Sequence, residues 1–580
     1  MNRIDRVVIG GLLVVLAVAA VAIGGPAIAP TNSRPSPSLG GVASPAAPDP
    51  YREGILSRPT NVNPLAARTQ ADRDLVALVF EGLVGRTADG QAKPALARSW
   101  TPSAGGDQWT FHLAPGRTWQ DGEPVTAADV VFTIEMLQDP AYHGPGSGSW
   151  AGITVTAADA ETVQFTLATP LGGFLELATQ PIIPEHLLEG TRPDAVSTDP
   201  FGTEPIGSGP YAIVELDRDH AVLEPANPTS GSSTDSSPGP GSAPPDALAT
   251  PAPTHRPDEI HPGIARIELR FFDTADDLET AFRAGQLDAA SGLDPAAATA
   301  LAATRGARAL RYPSTTLTAI ALNLRPTEIA FADPRTRFAL LEAIDRDRIV
   351  NVAYGGGASR ADGLIPPTSW AFDRASSPPV ARNLKAAAKA LTAAGWTKKG
   401  DGWHAAGAKT PQSIELLVPD RTSSPILYAV GSQVAADWSS LGFTVETKEE
   451  DPTVIATDHL GTGEFDAAIV GIALGHDPDL YPLLASSQNR TGGANVIGLQ
   501  DPPLDELLES AREPATLAAR TAAYAALQKR LTGGTYLLPI AWPDTVIVVT
   551  ERVIGPVVGE VADGSERFGD VLTWRLADDR

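Results

Sequence analysis

The sequence predicts a mixed α/β protein with at least two lobes, and three observations carry that prediction. Its 580 residues exceed one domain at about 100–200 residues per folded unit. From about residue 315 onward, helix-like and strand-like segments alternate. Within that stretch Ile414–Val418, Pro425–Leu441 and Phe443–Thr447 read as strand, helix and strand. Such a βαβ unit requires parallel strands covered by a helix.

The elements follow in order along the chain. Arg3 and Arg6 precede a 17-residue apolar run, Val7 to Ile23, near the lower limit for spanning a bilayer. The arginines would stay inside and everything downstream would lie outside. Residues 1–29 are therefore a signal anchor or a signal peptide. Ala27-Ile28-Ala29 and Ala20-Val21-Ala22 have the small-x-small spacing of a cleavage site, but Pro30 follows the first. The uncleaved anchor is the preferred reading. Residues 30–50, rich in Pro, Ser, Ala and Gly, read as a disordered stalk.

The folded part opens with short strands and helices. Trp109–Leu113 and Thr162–Leu167 alternate as half-buried strands. Thr126 with Asp129 forms a capping box ahead of Val130, Val131, Ile134 and Leu137. A Ser/Pro/Gly run at about 227–261 reads as a disordered insertion. Asp333-Pro334 opens a helix expected to reach Tyr354, where Gly355-Gly356-Gly357 ends it. Further helices are expected over 381–394 and 517–531, and a buried strand over Thr545–Val549. No internal repeat is present.

Composition excludes several kinds of chemistry. With 69 acids against 44 bases and a net charge of −25, the chain is the wrong sign for a nucleic-acid partner. The absence of cysteine removes disulfides, thiolate metal sites, thiol nucleophiles and lipidation on cysteine. There is no His-Glu-x-x-His pair and no Gly-x-Ser-x-Gly elbow. Gly395–Gly400 imitates the start of a phosphate loop, but Asp401 follows where lysine is needed, so a helix cap and turn is the better reading. His476 beside Asp477-Pro478-Asp479 is the closest His/carboxylate cluster. Turn-shaping by the acids outweighs metal binding there. No enzyme activity, cofactor or metal is expected.

Read in order, several motifs resemble the extracytoplasmic solute-binding proteins of ABC importers, specifically the oligopeptide/dipeptide-binding family (family 5). They are Pro94-Ala-Leu-Ala-Arg-Ser-Trp100, Trp109 through Phe132 with its Asp121-Gly122 turn, and Pro205-Ile-Gly-Ser-Gly-Pro-Tyr211. Ala321-Leu-Asn-Leu324 with Asp333–Ile349, Leu364–Pro367, Ala393–Trp396, Phe465–Ala468 and Gly492–Asn495 continue the run. The resemblance implies a two-lobed periplasmic-binding-protein-like α/β fold, class II of the large peptide-binding type. Lobe one would be 51–317 plus 550–580, with an extra subdomain at about 82–200. Lobe two would be 325–540, with hinge crossings near 318–325 and 541–549. The implied function is capture of a peptide or other small solute by hinge closure and delivery to ABC permease subunits. The protein would be a monomer, extracytoplasmic and tethered by its apolar head. A membrane-anchored sensor or scaffold reusing the fold is the alternative.

The resemblance also nominates ligand-binding residues. Arg421 stands where dipeptide-binding relatives carry an arginine for the ligand carboxylate, a role suited to a bidentate, always-charged fork. The relatives' amine-binding acid falls at Leu474 or Gly475, so His476 or Asp477 would have to substitute. Trp370 and Trp542 are candidate apolar walls, and Thr60, in the Arg58-Pro59-Thr60 loop, borders the cleft by family position.

Overall fold

The computed structural model describes residues 49–226 and 262–577, apart from 328, 491, 514 and 515. The expected signal segment, nearly all of the stalk and the insertion at 227–261 lie outside the described residues. No helix among the described residues is long and apolar enough to cross a membrane.

One twelve-stranded sheet runs through the protein. Its strands, in chain order, are β1 (Tyr51–Ile55), β2 (Tyr211–Leu216), β3 (His220–Pro225), β4 (Ile267–Phe271), β5 (Ala289–Ser291), β6 (Ala307–Pro313), β7 (Thr316–Leu322), β8 (Ala358–Arg360), β9 (Ser413–Pro419), β10 (Thr444–Glu450), β11 (Ala467–Ala473) and β12 (Leu537–Thr550). Their spatial order is β10-β9-β11-β7-β12-β5-β1-β4-β3-β2, with β6 and β8 also on β12. The 14-residue β12 ties the sheet together. Its first part pairs with β7 (Leu537 opposite Ala321), and its last part pairs with β6 (Thr550 opposite Ala307) and β5.

The apolar cores divide at that strand. Leu317 to Trp542 fill two clusters against β7–β12. Tyr51 to Phe271 share a cluster with Ile547, Val549 and Val553 to Trp574, and the helices around β5 form a smaller one with Val546 and Val548. The chain passes between the two groups at 313–316 and again within β12 at 541–544. β7 is paired residue by residue with β11 from Thr316 onward, and Leu317 packs with the second group. Residues from Asp544 onward pair with β6.

Local sequence explains the elements around the site. The expected βαβ unit forms with β9 and β10 parallel. Its helix, Pro425–Leu441, starts on proline and stops at Gly442, whose φ of 109° suits a residue without a Cβ. The long helix expected from 334 to 354 is two, Pro334–Ala343 and Arg346–Val352. Ile344 turns extended, and the Asp345 carboxylate accepts from the Arg348 amide, starting a new helix. A four-stranded antiparallel sheet (97–102, 108–113, 162–167, 153–159) sits apart within the first body. Phe174 anchors a short turn of helix on it, its ring 5.2 Å from Phe165 and 5.4 Å from Trp109. That anchoring fixes where Glu176 points.

Candidate functional site

Strand direction decides where a ligand can meet loops from both bodies. β5 runs antiparallel to β12 toward the passage at 541–544, and β1 is parallel to β5. β11 ends opposite Thr316 at the start of β7, and β9 is parallel to β11. The carboxyl ends of β1, β5, β9 and β11 therefore all point at the two crossings. That is the edge at which open α/β sheets bind ligands. Thr60 follows β1, Arg421 follows β9, and His476 and Asp477 follow β11.

Each of these residues already has partners. Thr60 donates its amide and hydroxyl to the Asp72 carboxylate at 2.5 and 2.9 Å. Its neighbour Arg58 is held by Asp219 and Asp273. Arg421 is exposed; its guanidinium lies 4.4 Å over the Tyr428 ring and donates to the Tyr428 hydroxyl at 2.7 Å. Among the described residues no carboxylate sits on its fork, and its amide donates to Glu449 at 2.9 Å. Trp542 is 3% exposed and packs in the same apolar cluster as Leu317 and Tyr524. Trp370 is partly buried, edge-on to Tyr524 at 5.2 Å and 4.8 Å beneath the Arg520 guanidinium.

The loop after β11 is the meeting point of the two bodies. Asp477 takes two hydrogen bonds from Arg520, at 2.6 and 2.8 Å. Arg520 rises from the helix Leu517–Gly534. Asp479 pairs with Arg512 at 3.0 Å. Burial pushes the Asp479 carboxyl up, against the pull of that guanidinium. Arg512 in turn accepts from the Gly172 amide of the opposite body at 2.8 Å. Asp477 is thus neutralised within its own body.

His476 faces across the boundary. Its Nε2 lies 2.8 Å from Glu566 Oε2 and its Nδ1 3.4 Å from Glu560 Oε1, while its amide donates to Glu176 Oε1 at 3.3 Å. All three acids belong to the first body. Glu176 is also paired with Arg86, and Glu560 accepts from Thr368 of the second body. The imidazole is buried. Burial alone would lower its pKa, but the carboxylates of Glu560 and Glu566, with Glu176 behind, reverse this and push it up to about 10. Burial raises the Glu176 carboxyl, partly countered by Arg86 and His476. Glycines permit the approach: a Cβ on Gly475 would fall 2.6 Å from Glu176 Oε1, and one on Gly173 would fall 2.8 Å from the Asp477 carboxyl. The position where the resemblance calls for an acid is therefore filled by an acid from the other body.

Sequence reasoning nominated His476 and Asp477 but missed Glu176, Glu560, Glu566 and Arg520. None carries a local motif, and the Glu176 contact spans 300 residues. Two other features lie away from this boundary. A cavity of about 700 Å³ lined by Leu324, Arg337, Asp501 and Tyr536 opens at the far ends of β7 and β12. Glu215, Asp217 and His220 cluster on the β2–β3 turn, where both imidazole nitrogens already face a carboxylate.

Two α/β bodies joined by crossing segments, with the carboxyl ends of their strands facing a shared boundary, define a two-lobed solute-binding protein. A family model described as bacterial extracellular solute-binding proteins, family 5, matches residues 91–494, and the chain belongs to that family. It is 29% identical over 513 residues to protein XP55 of Streptomyces lividans, covering 86% of this chain and 84% of the relative. It is 25% identical over 522 residues to the periplasmic murein peptide-binding protein MppA of Escherichia coli (strain K12), covering 84% and 86%. Among solved structures, the oligopeptide-binding protein AppA from Bacillus subtilis, in complex with a nonapeptide, superposes with a TM-score of 0.68 at 21% identity, covering 91% of this chain and 99% of that one. The unliganded open form of MppA gives 0.70 at 22%, covering 91% and 97%.

Proposed function

We propose that this protein captures a peptide-class solute outside the cytoplasm, encloses it between its two lobes and hands it to the permease of an ABC importer. The lobes are 51–313 with 544–577, and 316–542; the hinge segments are 313–316 and 541–544. The observation that carries the reading is the convergence of four strand ends, two from each lobe, on those crossings. The names of the relatives support the solute class: AppA holds a nonapeptide, and DppA from Helicobacter pylori holds the peptide STSA. Relatives on the same fold take other cargo, Ni(L-His) in NikZ and agropinic acid in AgaA, so the test must range beyond peptides.

Within the site, Arg421 is the residue for a ligand carboxylate. Its support is exposure at the end of β9 and a guanidinium positioned by Tyr428, with no carboxylate on its fork among the described residues. Trp370 and Thr60 border the same space. Binding selects the closed state by whatever free energy the solute adds to it. The protein acts as a monomer without catalysis, held at the membrane by its apolar head. A thermal-shift screen over peptides, sugars and nickel chelates tests the reading: stabilisation by at least one peptide class is expected, and no stabilisation by any solute refutes it. N-terminal sequencing of the exported protein decides the tether, since a start at Ile23 or Pro30 means cleavage.

A further inference from the structure

We infer that His476 is a built-in cation that closes the lobes, inserting its imidazolium into a pocket of first-lobe carboxylates before any solute is bound. The inference rests on the reading that the lobes open and close around a solute. It assigns the end of the cleft nearest His476 to the protein's own charge, so the solute need bring no cation there.

The geometry carries the argument from both sides. The first lobe offers Glu176 from the short helix anchored by Phe174, and Glu560 and Glu566 from the segment leading to the C-terminus. Arg86 stands behind Glu176, paired with it. The turn at Gly90 contributes no side chain; a Cβ there would touch His476 Nδ1 at 3.0 Å. With His476 withdrawn, three carboxylates are left beside Arg86 alone, and their mutual repulsion disfavours that arrangement relative to the one in which the imidazolium sits among them. With His476 inserted, both ring nitrogens face carboxylates. On its own lobe, Asp477 and Asp479 are already satisfied by Arg520 and Arg512. They leave His476 free to answer the opposite lobe. The Gly172 amide donating to the Arg512 carbonyl and Thr368 meeting Glu560 complete the same seam.

Proton linkage follows from this geometry. In the open protein the imidazole is exposed and titrates near its ordinary value of about 6.5. In the seam it is pushed up to about 10. Closure therefore takes up a proton between those limits. The latch is at full strength below about pH 6.5 and weakens up to tenfold per pH unit until about pH 10, where it is lost.

The test uses the full chain, whose lack of cysteine allows clean labelling. Dyes on Thr156→Cys and Lys389→Cys, exposed positions in different lobes, report closure by energy transfer without added solute. We expect the closed population to fall as pH rises from 7 to 10. His476→Ala should be open at pH 7 with no such slope, and added imidazole should restore closure. Glu566→Gln, with His476 intact, should shift the pH profile downward. A His476→Ala protein that closes like the parent with the same slope overturns the proposal. So does one that opens but ignores imidazole, since that marks a packing role. Circular dichroism identifies a misfolded variant, in which case the Glu566→Gln profile decides alone: a downward shift supports the latch and an unmoved profile overturns it. Because no solute enters the assay, its failure is separate from failure of the transport reading.

Discussion

Gly475→Asp is the most informative single substitution at the lobe boundary. The glycine sits where its Cβ would lie 2.6 Å from Glu176 Oε1. An aspartate there must push the glutamate side chain aside and hold a second negative charge beside it. At about 4 Å and an effective dielectric near 20, two like charges repel by ~4 kcal/mol. At about 1.4 kcal/mol per decade that is a factor of about 1,000. Arg86 and His476 lie alongside Glu176 and reduce the effect, so closure should weaken by about 100- to 1,000-fold. Energy transfer between lobe labels measures it directly, and solute affinity should fall in parallel. Gly475→Ala separates steric from charge effects, because the atom displaced is the tip of a movable side chain. Adding Glu176→Gln to Gly475→Asp should recover at least tenfold, as expected for coupled neighbours. Closure equal to the parent, or a loss that Glu176→Gln leaves unchanged, refutes the reasoning.

Other expectations concern ligand ends and core charges. Arg421→Ala should weaken carboxylate-ended solutes by about 10- to 100-fold, the worth of a charged hydrogen bond, with an unchanged melting temperature because the residue is exposed; calorimetry against amidated peptides checks both. Arg520→Ala leaves Asp477 without its bidentate partner, so amine-ended peptides should gain at least fivefold over their N-acetylated forms in competition binding. Truncation to alanine of Arg567, buried with Asp74 at 2.6 Å and Glu53 at 2.8 Å, should cost about 3–5 kcal/mol, read in a body of this size as a melting temperature lowered by about 3–5 °C.

Much of the architecture was legible because its signals are local. Thr126 caps its helix and Asp129 reaches back to the cap amide, as the sequence pattern predicts. The helix Pro425–Leu441 and its glycine stop match residue for residue. The break at Ile344 was not legible, since Asp345 reads as one more polar helix position until its carboxylate is seen capping Arg348. Where the chain passes from one core to the other between β6 and β7 is not legible, because only strand pairing distinguishes their partners. At the site, the sequence pointed to the loop after β11 but not to what faces it. Asp477 looked available to a ligand until Arg520, 43 residues on, took both oxygens. Coulombic neighbours of this kind leave no spacing rule to read.

The strand shared by both bodies has a consequence for biogenesis. β12 and the segment to Trp574 are the last described parts to leave the ribosome, yet β12 supplies pairing to each half and Phe568 and Trp574 complete the first core. Neither half can finish as an autonomous unit during synthesis, unlike tandem domains that mature one after another. The strands and helices made before β12 therefore stay unfinished until translation is nearly done. By the same logic, a product ending before Leu537 strips a strand from both halves at once, so premature termination leaves no partially competent fragment.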